Sequence, residues 1–338
     1  LDPKQFYEMR IDTSGELTGV GIQIIKDEES DGFIVVSPID GSPAYQAGIK
    51  AKDRIISIDS INTKGMDIEK VVNLIRGKRG TRVKLGISRN GEIFYKSLLR
   101  KKIEIKSVFS RINNTNEGYL VGYVRIKQFN ANASREMKDT LVDFENKDVS
   151  GYVLDLRSNP GGLLDSSVDI SRQFINKGII VSTLSKNGLK EVMKANGSAL
   201  TDKPLVVLVN EGSASASEIV SGAIQDNQRG KLVGKKTFGK GLVQSMRALV
   251  DGSGLTVTVA KYLTPEGKDI NKFGITPDLE VNMNSNRILQ KDIGTKKDKQ
   301  YKAGENLLIN LINVKESFSS FDPNSTNIYA ALKKENTY

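Results

Sequence analysis

The chain has 338 residues, 38% of them hydrophobic and 27% charged, a formal net charge of +10, and no histidine, cysteine or tryptophan. That length is enough for two domains with a sizeable core. The missing residue types exclude a Ser-His-Asp triad, a Cys-His dyad, a thiol nucleophile and any disulfide. The basic residues are scattered, and the one modest cluster, over 291–302, also carries acids. No Lys/Arg run is interleaved with aromatics, so the charge reads as a solvated surface rather than a nucleic-acid footprint. The longest apolar run, Leu205-Val-Val-Leu-Val209, is too short to span a bilayer. The polar start Leu1-Asp-Pro-Lys-Gln5 shows no signal peptide, and its abruptness is that of a chain trimmed at its N-terminus.

Residues 17–101 read as one unit. Strands are expected over 20–24 and 32–36 around the charged turn 26–31, then over 53–58 and, as the last element, 81–87. Pro43 suits the first turn of a short helix that Gly48 closes. Ile68, Val71, Val72 and Ile75 have the spacing of an amphipathic helix ended by Gly77. With Ser42-Pro-Ala, Ala47-Gly-Ile and Asp53-Arg-Ile at their places, this order resembles a PDZ domain. The resemblance makes Thr18, Gly19, Val20, Gly21 and Ile22 the loop that captures a C-terminal carboxylate on backbone N–H groups. A bulky side chain at Gly21 is then expected to keep a ligand backbone out.

From about residue 102 strands and helices alternate. Strands are expected over 120–126, 151–156, 204–210, 231–233, 242–250 and 255–262, the last two joined by the turn 251–254. Helices are expected over 133–145, 163–176 and 215–227, and residues 304–338 read as a helix plus an irregular tail. Strand-loop-helix repetition argues an α/β core.

Two runs carry the chemistry, Glu211-Gly-Ser-Ala-Ser-Ala-Ser-Glu218 and Thr237-Phe-Gly-Lys-Gly241. The first leads from a buried strand into a helix N-terminus, where free N–H groups favour a developing oxyanion. Ser213, Ser215 and Ser217 all compete as nucleophile, and a serine before a helix is more often an N-cap. If a serine is the nucleophile, the base must be something other than histidine, and lysine is the known substitute; a lysine acts as a base only when desolvation or nearby positive charge strips its proton. Lys240, between two glycines and behind Phe238, is expected to be tightly packed and partly dry. Asn159-Pro-Gly-Gly162 opens a helix after a parallel-type strand and is a candidate second oxyanion donor, although alone it reads as a turn.

The runs Leu154-Asp-Leu-Arg-Ser-Asn-Pro-Gly-Gly162, Gly212-Ser-Ala-Ser-Ala-Ser-Glu-Ile219, Thr237-Phe-Gly-Lys-Gly-Leu-Val-Gln244, Lys261-Tyr-Leu-Thr-Pro-Glu-Gly267 and Gly274-Ile-Thr-Pro-Asp278 resemble the C-terminal processing peptidases. These are PDZ-containing serine proteases with a Ser-Lys dyad. The resemblance covers residues 1 to about 303, and the departure at Ser158, where the family usually has Asn, is mild. It implies an α/β core of parallel or mixed sheet with helices and a β-rich segment, and an inserted PDZ domain. The expected division is 1–16 with the core, 17–101 PDZ, 102–303 protease core, and 304–338 as the C-terminal tail. The resemblance makes Ser215 the nucleophile, Lys240 the general base and Gln244 its orienting partner. Residues i and i+4 share a face of a strand, so Lys240 and Gln244 can point the same way. The oxyanion donors are the N–H groups of Ala216 and of Gly161 or Gly162, and Glu218 either tunes the site or is a structural helix-first-turn acid.

No cofactor and no metal is implied. The partners implied are polypeptides with free C-termini, with no nucleic acid and no transmembrane segment; a homo-oligomer or a regulatory protein partner is compatible with the resemblance. The family acts outside the cytoplasm, periplasmic or extracellular, with membrane association through a missing N-terminal segment as one form. The Lys/Asn-rich, cysteine-free composition points to a bacterial source. Two rivals stand beside this reading. A catalytically silent PDZ-containing scaffold conflicts with the joint presence of serine, lysine, glutamine and glycines. A penicillin-recognising hydrolase needs Ser-x-x-Lys, which the chain lacks.

Overall fold

The computed structural model describes residues 1–27, 31–283 and 289–319. Half of the turn expected over 26–31, at 28–30, and the tail from 320 onward lie outside the described residues. The chain divides into two compact units, Ser14–Ile105 and Leu1–Thr13 with Lys106 onward. Helix α1 (Pro3–Ser14) leads from the second of these units into the first.

In the smaller unit the strands are β1 (Glu16–Gly19), β2 (Ile22–Asp27), β3 (Gly32–Pro38), β4 (Arg54–Ile58), β5 (Ile61–Asn62), β6 (Arg82–Arg89), β7 (Glu92–Leu99) and β8 (Lys101–Glu104). Helices α2 (Pro43–Gln46) and α3 (Ile68–Ile75) are interleaved with them. The main sheet runs β2-β3-β4-β6-β7 with β5 beside β4, while β1 pairs antiparallel with β8. Strand β7 extends the unit beyond the strand expected to be its last. The Asn90-Gly91 turn that makes the hairpin has φ of 52° and 86° at its two residues, the requirement that favours Asn-Gly. Val71 and Ile75 of α3 bury against Phe33, Val35, Ile55 and Leu85, as the helical spacing predicts.

The larger unit is built on β9 (Val108–Asn114), β10 (Leu120–Ile126), β11 (Gly151–Asp155), β12 (Ile179–Ser185), β13 (Lys190–Lys194), β14 (Leu205–Val209), β15 (Lys231–Gly234), β16 (Leu242–Ala248), β17 (Gly254–Leu263) and β18 (Leu279–Glu280). Its further helices are α4 (Ala133–Asn146), α5 (Leu164–Arg172), α6 (Ala216–Asp226) and α7 (Lys299–Ser319). A six-stranded sheet has the order β18-β15-β14-β11-β10-β9, parallel except for β9. A second, antiparallel sheet has the order β13-β12-β17-β16.

Strands β11 and β14 are buried along their whole length because both faces are covered, so they read as continuous apolar runs. Leu205, Val207 and Val209 join one core with residues of α4, α5 and α6. Val206 and Leu208 face the opposite way, into a second core with Tyr301, Leu308 and Ile312 of α7. Helix α7 begins five residues before the tail expected from 304. Gly304 weakens its helical signal, since glycine costs roughly 1 kcal/mol in a helix interior. A Cβ there would lie 2.9 Å from Leu208 Cδ2, so the glycine lets the helix lie close on the sheet.

Leu308→Ala is expected to destabilise the larger unit by about 2–5 kcal/mol, through lost burial and the cavity left behind. Asn310→Ala, on the exposed side of α7, should change stability by less than about 0.5 kcal/mol. Urea unfolding midpoints of the two variants check both.

Candidate active site

The carboxyl ends of three neighbouring parallel strands supply the site. After β11 comes 156–163, after β14 comes 210–215, and after β15 comes 235–241. This is where a parallel α/β sheet presents loops to a ligand.

The three serines separate by environment. Ser213 is buried; its Oγ donates to the Leu156 carbonyl at 2.8 Å and accepts the Asn210 N–H at 3.0 Å. Ser217 is buried, and its Oγ donates to the Asn159 carbonyl at 2.9 Å. Ser215 is half-buried and precedes the first residue of α6 with φ 54° and ψ −113°. A non-glycine residue in that region costs on the order of 1–3 kcal/mol and persists only where its surroundings over-determine it. Those surroundings include the Ala214 N–H, held by the Asn159 carbonyl at 3.0 Å, and the Ser213 carbonyl, which accepts the Phe238 N–H at 3.0 Å.

Glu218, in the first turn of α6, is fully buried. Its Oε2 accepts the N–H of Ser215 at 2.9 Å and that of Lys240 at 2.8 Å. Its Oε1 accepts the Gly239 N–H and the Thr237 hydroxyl, both at 2.6 Å. Each oxygen therefore meets two donors, which is what a carboxylate needs when it leaves water. The helix N-terminus adds partial positive charge. Of its two sequence readings, the structural one describes what these contacts do: one carboxylate joins the serine loop to the lysine loop.

The Asn-Pro-Gly-Gly loop lies against the serine. A Cβ on Gly161, whose φ is +107°, would sit 2.8 Å from Ser215 Cβ and 3.0 Å from Ala216 N. The Gly161 N–H is taken by Asn159 Oδ1 at 2.9 Å, and the Gly161 carbonyl accepts the Phe129 N–H at 2.9 Å. The Leu163 N–H goes to the Phe129 carbonyl. Among the described residues no group accepts the N–H of exposed Gly162 or of Ala216, the first residue of its helix.

Lys240 departs from expectation. Its backbone is fixed, but its side chain is exposed, as is that of Gln244. The neighbours Gly239 and Gly241 have no side chains to cover it, and Phe238 is itself 65% exposed. Among the described residues no hydrogen bond joins Lys240 Nζ to Ser215. Lys240 also lies two residues ahead of β16, so strand alternation does not govern its direction. The β16–β17 ladder shifts register between Val243 and Gln244.

The sequence reading missed a buried charge cluster beside the glycine loop, formed by Asp155, Arg157, Asp298 and Gln300. Burial favours protonated Asp298, but the Arg157 guanidinium hydrogen-bonded to it more than offsets this and holds the carboxyl below its ordinary value. Burial likewise disfavours charged Arg157, and the Asp155 and Asp298 carboxylates more than compensate. An Arg between two acids far apart in sequence leaves no local signal.

In the smaller unit Thr18 and Gly19 end β1, Val20 and Gly21 turn, and Ile22 opens β2. A groove of about 170 Å³ is lined here by Gly19, Val20, Gly21 and Ile22, and by Val72 and Arg76 at α3. Among the described residues nothing accepts the N–H of Val20 or Gly21. Gly21 has φ 77°, and a Cβ there would lie 2.3 Å from Ser42 Cβ. Replacing it would therefore damage the unit's own packing as well as any approach of a ligand backbone.

Residues 120–281 match peptidase family S41, and residues 34–89 match a PDZ domain. The carboxyl-terminal-processing protease of Synechocystis sp. (strain ATCC 27184 / PCC 6803 / Kazusa) is 43% identical over 96% of this chain and 76% of its own length. The chloroplastic C-terminal processing peptidase of Tetradesmus obliquus is 37% identical over 83% of this chain and 64% of its own. Among solved structures, a photosystem II D1 C-terminal processing protease superposes with a TM-score of 0.52 at 35% identity, covering 83% of this chain and 77% of that one. Relatives of that identity and coverage, on this fold and these loops, establish that the chain belongs to peptidase family S41, the carboxyl-terminal-processing serine proteases with a PDZ domain.

Proposed function

We propose that the chain cuts polypeptides near their C-termini with Ser215 as nucleophile and Lys240 as general base, and that the groove at 18–22 holds the substrate's terminal carboxylate. One observation carries the reading: a single oxygen, Glu218 Oε2, takes the N–H of both Ser215 and Lys240. Ser213 and Ser217 are occupied in holding the loop, which favours Ser215. The two N–H groups beside it without acceptors, Ala216 and Gly162, are the oxyanion donors of this reading; Gly161 serves by its close approach.

In the cycle, neutral Lys240 takes the Ser215 Oγ proton as Oγ attacks the peptide carbonyl. The oxyanion is met by the Ala216 and Gly162 N–H groups. The Lys240 ammonium then protonates the leaving amine, and water, losing its proton to Lys240, resolves the ester. Gln244 orients Lys240. The Lys240 side chain is exposed, and a bound polypeptide that covers it withdraws the water that favours the charged form. By the family resemblance the chain's place of action is extracytoplasmic, periplasmic or extracellular.

Ser215→Ala is expected to lower peptide turnover by at least about 10⁴-fold with the fold intact by circular dichroism. Ser213→Ala should keep turnover while losing about 1–3 kcal/mol of stability, because it strips a buried hydroxyl with two partners. Full activity in Ser215→Ala would sink the assignment.

Lys240→Arg should be inactive, since guanidinium stays protonated throughout the working range. Turnover near that of the wild type in this variant would exclude Lys240 as the base.

For the groove, a peptide with a free C-terminus is expected to bind the full chain at least about tenfold more tightly than its amide, measured by calorimetry. Val72→Glu, which sets a carboxylate in the groove, should erase that difference. Equal affinity of the wild type for both peptides would remove the carboxylate role.

A further inference from the structure

The buried cluster one residue upstream of the glycine loop has no part in the proposed reaction cycle. All five N–H bonds of the Arg157 guanidinium have acceptors. Nε donates to Asp155 Oδ1 at 2.9 Å. Nη1 donates to Asp298 Oδ1 at 2.9 Å and Gln300 Oε1 at 3.1 Å. Nη2 donates to Asp155 Oδ2 and Asp298 Oδ2, both at 2.6 Å. The acceptors are themselves fixed. Tyr123 donates its hydroxyl to Asp155 Oδ2 at 2.7 Å. Asp298, just ahead of α7, takes the N–H of Tyr301 at 3.2 Å and of Gly294 at 2.8 Å. Gln300 donates to the Val281 carbonyl at 2.9 Å.

We propose that Arg157 is a positioning residue for the oxyanion loop, and that the first turn of α7 is thereby part of the catalytic apparatus. The proposal rests on Gly162 and Ala216 being the oxyanion donors. The Arg157 N–H also binds Asp155 Oδ1, at 3.0 Å, so backbone and side chain of Arg157 are tied to the same carboxylate. The next residue, Ser158, has φ +55°. It keeps that unfavourable conformation because it is gripped on both sides: Arg157 precedes it, and its own N–H is held by Asn210 Oδ1 at 2.7 Å. Relaxation of Ser158 to negative φ swings Asn159 to Gly162 away from Ser215. Oxyanion donors act only in close register with the reacting carbonyl, so a shift of about 1 Å costs on the order of 100-fold in rate. The first turn of α7 makes no contact with substrate in this scheme, so binding is spared.

Steady-state kinetics on a quenched-fluorescence peptide with a free C-terminus test the link, alongside melting temperatures. Asp298→Asn keeps the size but turns an amide NH₂ toward N–H donors. Its kcat is expected to fall about 100-fold with KM within about twofold. Leu308→Ala, further along the same helix and remote from Arg157, should lower the melting temperature and leave kcat within about threefold. If Asp298→Asn does not fold, Gln300→Ala removes one acceptor only and should lower kcat about tenfold. A kcat within about threefold of wild type in Asp298→Asn or Gln300→Ala overturns the proposal, as does a Leu308→Ala kcat that falls in step with its stability. Ser215→Ala measured in parallel separates the two readings: if it keeps turnover, the site assignment has failed independently of α7.

Discussion

One buried carboxylate sets the geometry of the site. Glu218 stands in the first turn of α6 and takes donors from Ser215, Thr237, Gly239 and Lys240. A carboxylate with no exposed surface is tolerated only when its oxygens are fully met, because an isolated ion transferred to the interior costs many kcal/mol. The requirement runs in both directions. The loops satisfy the carboxylate, and the carboxylate fixes where the loops pass. Ser215 can hold a positive φ because its N–H is fastened, and the turn through Gly239 is fastened by the same group. Thr237 carries the connection further, since its hydroxyl also accepts the Ile275 N–H at 2.7 Å. Moving Glu218 would release the serine loop, the lysine loop and the segment before β18 together.

A second constraint acts from the other side of Ser215. Asn159 sends its side-chain amide to the Ile126 carbonyl at 2.8 Å and takes Gly161 N–H on its Oδ1. Its carbonyl takes Ala214 N–H and Ser217 Oγ. Glu218 and Asn159 thus hold the loop carrying Ser215 from two directions, and the six-stranded sheet supplies the frame on which both act. Below them, β10, β11 and β14 contribute side chains to the cores on both sheet faces.

What was legible in the sequence follows from these physics. Strands buried on both faces announce themselves as apolar runs, so β11 and β14 are read within a residue of their ends. Helix α6 follows from the run after a buried strand, and Ser215 with Glu218 three residues later is a helix-start pattern that could have shown the carboxylate reaching back. Strand β12 escaped notice because buried Ser182 and Thr183 dilute its apolar signal. Strand β13, Lys190-Glu-Val-Met-Lys194, is a charged edge with almost no buried side chain. Helix α7 was blurred by Gly304, whose reason lies in Leu208 and Val206 on a distant strand. The Arg157 cluster depends on Asp298, 141 residues away, and no local pattern encodes such a pairing. Glycines beside Lys240 suggested tight packing, yet glycines bring backbones together and leave a neighbouring side chain uncovered.

That last point bears on how a histidine-free site works. An imidazole has an ordinary titration near neutrality, so it can serve as a base while still wet. A lysine cannot: its ammonium is strongly hydrated, and the free base becomes accessible as that water is withdrawn or as nearby positive charge disfavours the proton. On the proposed reading, the parts that need no desolvation are already in place: the N–H groups of Ala216 and Gly162 and the strained backbone of Ser215. The Lys240 side chain is in solvent, attached to a backbone that Glu218 already anchors. On the proposed reading the remaining step is small in distance and large in solvation. A polypeptide laid across β16 excludes water from Lys240, and the base is generated where its substrate already lies. On that reading hydrolysis is coupled to occupancy without any rearrangement of the Glu218 clip.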